Sequence, residues 1–425
     1  MNSNKLHSPW YWIPCLFAAE EIPSAVVTYV ALLMFLQFGT SMTLATLYGA
    51  LLFLPWVLKS YFYSKVRKAG RFNRYLHLVE TMMFVCLMGI AVYISEATVK
   101  GWQLFLFLFV LSFLCAWHEL LSRLYYGRML LPRQQQIFNN TKMMASQMTL
   151  IVTYGVLIIV AGFFEVFFRS YQKAWAMESS LVVGGFFVFY ALNMMTLPSP
   201  KGRERSRHET LTGTVKSELQ VLSRIQQKPH VVPVVLSLFF LLLPQALLFN
   251  TRVFFLLAPV AEGGLGCSVQ DVGFAQGTIG VLAFSLGLAL GRALMRRYGV
   301  QRVFGVAAFV LTLSPFSYMM MAAAPQVNNL FLLCCMTFFA QFCFGIGLNV
   351  CRLYVPYISE QRYRTTTNFL YVPLVATLML APMALSGWLC AVLGYRMFFF
   401  VCSAMAPVAW LILIKCKTKS IILNE

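Results

Sequence analysis

The sequence predicts an all-α membrane protein with twelve transmembrane helices in two six-helix halves. Apolar segments of about 20 residues recur along the 425-residue chain, and only 11% of its residues are charged. A segment of about 20 apolar residues crosses the hydrocarbon core of a bilayer as a helix. A soluble protein of this length carries about twice this share of charge.

The apolar segments can be followed in order along the chain. The first six are predicted at residues 10–38, 41–62, 74–96, 101–125, 142–168 and 178–197. The second six are predicted at residues 231–258, 271–295, 302–322, 327–351, 366–393 and 395–415. In the eighth segment, Gly287 and Gly291 are four residues apart, which favours close packing against another helix.

Basic residues are concentrated at alternate junctions of these segments. Most of the 33 Lys and Arg lie at the N-terminus, the even junctions or the C-terminus. Because loops rich in Lys and Arg stay in the cytoplasm, we expect both termini to be cytoplasmic. The net charge of +19 is explained by topology and anionic lipid headgroups, so it does not indicate nucleic-acid binding.

One long polar stretch divides the chain. We predict an N-terminal half at 1–197, a basic cytoplasmic linker at 198–229 and a C-terminal half at 230–425. The second half of the linker carries apolar residues at helical spacing, which predicts an amphipathic helix on the inner membrane face.

Short motifs add a family resemblance to this architecture. They are A-E-E-I-P at 19–23, L-P-W-V-L-K at 54–59, A-W-H-E at 116–119 and V-Q-D-V-G at 269–273. Two six-helix halves with a basic linker resemble the major facilitator superfamily. The motifs are similar to those of its AmpG-like muropeptide permeases, whose relatives include the acetyl-CoA transporters. The sequence departs from that pattern at Glu21, where the family has Gly, and at Arg123, where a second acid is expected.

The resemblance implies a location and a cargo. It implies the bacterial cytoplasmic (inner) membrane, and a solute site near the midplane between the two halves. It also implies uptake of a peptidoglycan-derived muropeptide.

Acidic residues inside the predicted spans are informative because the chain has only 14 of them. A charge in a bilayer is costly unless it faces a cavity or a partner. Glu20 is about ten residues into the first helix, which is about 15 Å at 1.5 Å per residue. We expect Glu20 or Glu21 to line the substrate cavity and bind a proton or a cationic group. The alternative is a structural ion network or a protonated carboxyl group.

A second candidate group, assigned to proton coupling, lies mainly on the fourth helix. Glu119 and Arg123 are four residues apart, so they share a face and can pair. This pair either fastens the helix permanently or breaks when Glu119 takes a proton. His118 is a candidate because histidine is the side chain type that ordinarily changes charge near neutral pH, although packing with a hydrogen bond is its alternative role. Glu80 on the third helix completes this group.

Two residues of the seventh helix are further substrate-binding candidates. The guanidinium of Arg252 can clamp a carboxylate or phosphate, or it can pair with Glu262 or a backbone carbonyl. Asn250 is a neutral polar residue in a span, where hydrogen bonding between helices is its ordinary role.

The predicted function is secondary active transport, with proton-coupled uptake of a polar solute such as a muropeptide. Efflux of amphiphilic drugs or siderophores is one alternative, and a receptor-like protein without transport is another. We expect no enzymatic activity, because no nucleophile–base pair, metal constellation or ATP-binding loop is apparent in the sequence. We expect small-molecule solute, protons and membrane lipids as partners, no cofactor or metal, and a monomer.

Overall fold

The computed structural model describes residues 7–59, 72–96, 98–198, 231–324, 329–354 and 364–415, with the backbone alone for 364–373. All regular secondary structure within these ranges is helical. Apart from Pro198, the predicted linker and its amphipathic helix lie outside the described residues.

Eleven helical stretches of the described chain are long and apolar enough to cross a membrane. In chain order they are α1 (Pro9–Gln37), α2 (Met42–Lys59), α3 (Phe72–Ser95), α4 (Gly101–Met129), α5 (Pro132–Phe168), α6 (Tyr171–Thr196), α7 (Val231–Leu257), α8 (Val269–Tyr298), α9 (Val300–Ala323), α10 (Leu330–Cys351) and α11 (Arg364–Lys415). The chain is therefore a multi-pass membrane protein, as its apolar segments predict.

The long stretch α11 consists of two helices that meet at Gly394. This residue has φ 72° and ψ 159°, a conformation that glycine adopts without the steric cost other residues meet. The two helices correspond to the predicted spans 366–393 and 395–415, so the eleven stretches account for all twelve predicted spans.

Two helices begin well before their predicted first residues, by more than a helical turn. Helix α5 begins at Pro132 instead of residue 142, and α6 begins at Tyr171 instead of residue 178. Both starts are polar, so hydropathy alone misses these helical turns. Pro132 fits the first turn, where a helix needs no backbone N–H from it. Lys142, the first residue of the predicted span, consequently lies about three turns into α5.

Three of the helices contain a π-helical turn: α1 at Val26–Val30, α5 at Ile151–Val156 and α8 at Gly273–Ile279. The turns of α1 and α5 are in contact. The Thr28 hydroxyl and the Tyr154 hydroxyl are 2.7 Å apart, and the ring centroids of Tyr29 and Tyr154 are 5.0 Å apart. Such turns often occur at functional sites.

The chain divides into two compact units. Unit 1 comprises Met1–Gly39 and Leu58–Val215, and unit 2 comprises Thr40–Val57 and Lys216–Glu425. In unit 1, α6 packs against α1, α3 and α5, and α3 packs against α4. In unit 2, α7 packs against α11, and α8 packs against α10.

Small residues bring α8 and α10 of unit 2 close together. A Cβ at Gly287 would collide with the carbonyl oxygen of Phe342, and a Cβ at Gly345 would collide with that of Phe284. A Cβ at Gly291 would collide with the side-chain amide of Asn349. The close helix packing predicted from Gly287 and Gly291 is therefore confirmed.

Candidate functional site

Six ionisable residues of unit 1 form a group that we call the charged cluster. They come from α1, α2, α4 and α5, and they are Glu20, Glu21, Lys59, Glu119, Arg123 and Lys142. Three are acidic and three are basic, so the cluster is neutral when all six are ionised.

Glu119 is the centre of the charged cluster. One carboxylate oxygen lies 2.6 Å from Lys59 Nζ, and the other is paired with the Arg123 guanidinium one turn away on α4. The side chains of Lys59 and Glu119 are 2% and 9% exposed, whereas that of Arg123 is 31% exposed. Glu119 is thus paired with one buried cation, Lys59, and one partly exposed cation, Arg123.

Glu20 is held beside Glu119 by Ser122. The Ser122 hydroxyl donates to the Glu20 carboxylate, and its oxygen lies 3.2 Å from the Glu119 backbone carbonyl. Glu20 is buried. Its own backbone carbonyl accepts a hydrogen bond from Ser24 Oγ at 2.7 Å.

Glu21 and Lys142 form the half-buried side of the cluster. Glu21 is hydrogen-bonded to Ser146 of α5 and lies within electrostatic range of Glu20, Glu119 and Arg123. Lys142 Nζ lies 4.3 Å from the ring centroid of Phe17 and 5.2 Å from that of Tyr126. A cation over aromatic faces is stabilised by the ring quadrupole, so Lys142 is held in place by aromatic contacts as well as by charge.

A second group, the histidine cluster, is made of His77, Glu80, His118 and Asn193. Glu80 Oε1 lies 3.3 Å from His118 Nε2 and accepts a hydrogen bond of 2.7 Å from Asn193 Nδ2. Glu80 Oε2 lies 3.3 Å from His77 Nδ1. Glu80, His118 and Asn193 are completely buried. The cluster therefore ties α3, α4 and α6 together through one carboxyl group.

The predicted residues of α7 belong to unit 2. Asn250 is completely buried and donates to the Thr46 backbone carbonyl at 3.1 Å, which is the interhelical hydrogen bond expected of it. The Arg252 guanidinium lies 5.2 Å from the ring centroid of Phe249. No ion pair between Arg252 and Glu262 is found among the described residues.

Six of the eight predicted site residues thus fall into the two clusters of unit 1. Glu20, Glu21, Glu119 and Arg123 lie in the charged cluster, and Glu80 and His118 lie in the histidine cluster. The sequence interpretation did not identify their partners: Lys59, Lys142, Ser122, Ser146, His77 and Asn193. Two of these had a usable signal. Lys59 ends the L-P-W-V-L-K motif within an apolar helix, and His77 precedes Glu80 by three residues.

Glu178 is the first residue of the predicted span 178–197, but in the structure it lies inside α6. It is completely buried, and neither carboxyl oxygen has a hydrogen-bond partner among the described residues. The polar start of α6 conceals this position, because a span that begins at residue 178 places Glu178 at the membrane surface.

Comparison with known proteins identifies the fold. The sequence matches no protein-family model and no curated protein. The nucleoside transporter NupG has a TM-score of 0.70 at 13% identity over 98% of this chain and 99% of its own. The D-xylose–proton symporter has a TM-score of 0.63 at 14% identity over 95% of each chain. A mutant of the peptide transporter POT in complex with sulfate has a TM-score of 0.67 at 9% identity over 98% of this chain and 99% of its own.

These similarities extend over nearly the whole of each chain. The fold is therefore the major-facilitator-like fold that the sequence predicts.

Proposed function

We propose that this chain is a secondary active transporter that takes up a polar solute together with protons. The observation that carries this proposal is the position of Glu119 between Lys59 and Arg123. A carboxyl group attracts both cations only while it is ionised. Proton binding to Glu119 and rupture of two ion pairs are consequently a single event.

Such an event supplies the free-energy coupling that a carrier needs. A buried cation that loses its partner is strongly destabilised, by about 3–5 kcal/mol for a broken buried pair. A ligand or proton shifts a conformational equilibrium only by its differential affinity for the two states. Protonation of Glu119 therefore changes the stability of the charged cluster by about 3–5 kcal/mol. A change of this size is enough to alter which conformation of the surrounding helices is favoured.

The structures that share this fold support a polar solute. Their names describe a nucleoside transporter, a D-xylose–proton symporter and a peptide transporter. The resemblance of the 54–59 motif to the AmpG-like permeases supports a peptidoglycan-derived muropeptide as the particular solute. It also supports the bacterial cytoplasmic membrane as the location.

Reconstitution tests the proposal directly. The full chain is placed in liposomes that contain a pH-sensitive dye, and a nucleoside, D-xylose, a dipeptide or a muropeptide is added outside. We expect the lumen to acidify when the transported solute is added, and not when buffer alone is added. Empty liposomes are the control for passive leak.

Two results would count against the proposal. If none of the polar solutes moves protons but an amphiphilic cation does, efflux explains the fold better. If the chain binds a solute tightly without moving solute or proton, it is a receptor rather than a carrier.

A further inference from the structure

The balance of positive and negative charges in the charged cluster indicates which kind of charged group the solute carries. Glu119 lies within electrostatic range of Lys59, Arg123 and Lys142, and Glu20 and Glu21 act on Arg123 and Lys142. The Cys115 thiol also lies within electrostatic range of Glu20 and Glu119. With three carboxylates and three cations ionised, the cluster is neutral.

Proton binding to Glu119 gives the cluster one positive charge in excess of its previous state. The new O–H bond neutralises one carboxylate and removes the ionic partner that Lys59 and Arg123 share. The excess lies mainly where pairing was lost, at Lys59 and Arg123. An unpaired cation in a buried position is costly, so the protonated cluster is stabilised by an anion from outside.

Arg123 is the cation placed to receive that anion. Its side chain is 31% exposed, whereas that of Lys59 is 2% exposed. Its Nε is buried and has no hydrogen-bond partner among the described residues. The planar guanidinium group presents paired N–H donors that match the oxygens of a carboxylate or phosphate.

We propose that the solute carries an anionic group, a carboxylate or a phosphate, that binds to Arg123 when Glu119 is protonated. One proton and one negative charge then enter together without net charge movement. The transport part of this inference rests on the proposed function. The binding part does not, because it can be measured on the purified chain.

Anion rescue of a Glu119→Gln variant tests the binding part. Glutamine mimics the protonated carboxyl group at any pH, so this variant should have a lower Tm than the wild type in chloride at pH 8. Acetate and inorganic phosphate are then added at constant ionic strength, as carboxylate and phosphate probes. We expect one of them to return the lost Tm in the variant and to leave the wild type unchanged at pH 8. The effective anion identifies the group.

A second substitution locates the rescue. In the double variant Glu119→Gln/Arg123→Gln, the anion concentration for half-maximal rescue should rise by roughly 10-fold or more, because a hydrogen bond to a charged group contributes about 1.5 kcal/mol or more. The variant Glu96→Gln, at an exposed loop position, should respond as the wild type does.

The inference is overturned if neither anion raises the Tm of Glu119→Gln, or if the double variant is rescued equally well. Neither result would reject proton-coupled transport, because the Tm measurement does not measure proton flux. Conversely, intact rescue without solute-dependent proton flux in liposomes would reject the proposed function alone.

Discussion

At the residue scale, two neighbouring residues of α4 serve different clusters. His118 contacts Glu80, and Glu119 contacts Lys59 and Arg123. Successive helical residues are turned by about 100°, so they cannot share partners. The predicted coupling group of Glu80, His118, Glu119 and Arg123 is therefore divided: Glu119 and Arg123 belong to the charged cluster, and Glu80 and His118 belong to the histidine cluster.

The histidine cluster predicts an order of stabilities. Glu80→Ala leaves the His118 and Asn193 side chains buried without their partner, so it should lower the free energy of unfolding by about 2–6 kcal/mol, at about 1–3 kcal/mol for each buried polar group left unpaired. His77→Ala should cost about 1 kcal/mol, because the carboxylate keeps its other partners. Thermal unfolding of the detergent-solubilised chain gives both values. Equal effects would show that Glu80 does not organise the cluster.

The contact between Lys59 and Glu119 predicts that the stability effects of substituting these two residues are not additive. Lys59→Met removes one of the two cations paired with Glu119, and Glu119→Gln removes the carboxylate paired with Lys59. The double variant should be less destabilised than the sum of the single variants by about 1–3 kcal/mol, as expected for contacting residues. Thermal unfolding of the four proteins in this cycle is the measurement, and simple additivity contradicts the contact.

At the element scale, spacing along one helix was the reliable sequence signal. Glu119 and Arg123 are one turn apart, so their pairing followed from helical geometry. The bond between Ser122 and Glu20 joins residues 102 positions apart, and local periodicity carries no information about it. Lys142 was missed as a site residue for another reason: the predicted span 142–168 begins at this residue, so hydropathy places it at the membrane surface.

The contact between α8 and α10 makes a prediction with a matched control. Gly287→Ala should lower the Tm, because its Cβ would collide with the Phe342 carbonyl, and overpacking of this kind costs about 1–3 kcal/mol. Gly184→Ala on α6 has open space around its Cβ. It should be neutral or stabilising by up to about 1 kcal/mol. Equal shifts of Tm would mean that the two helices do not depend on close approach at Gly287.

At the scale of the whole molecule, composition and charge asymmetry were enough to predict the fold. Apolar length predicted the spans, and the split of α11 at Gly394 fell at the predicted boundary. The halves at 1–197 and 230–425 remain a prediction. The compact units follow the same division except that Thr40–Val57 belongs to unit 2, which hydropathy could not indicate.

The basic residues also predict the orientation of the chain. We expect the 198–229 linker to be cytoplasmic and the loop between α7 and α8 to be external. Single cysteines placed beside Lys201 and beside Gly264, in a cysteine-free background, should react with impermeant maleimide from opposite sides of the membrane. Labelling of both from outside intact cells would contradict this topology.

We expect Glu119 to couple proton binding to solute movement. The most direct measurement compares two activities of Glu119→Gln in the same liposomes, with Glu96→Gln as control. One activity is uptake driven by a pH gradient, and the other is exchange of labelled for unlabelled solute without a gradient. Because glutamine fixes the protonated form, we expect exchange to persist while gradient-driven uptake is lost. Retention of gradient-driven uptake, or loss of both activities together, would contradict this coupling role of Glu119.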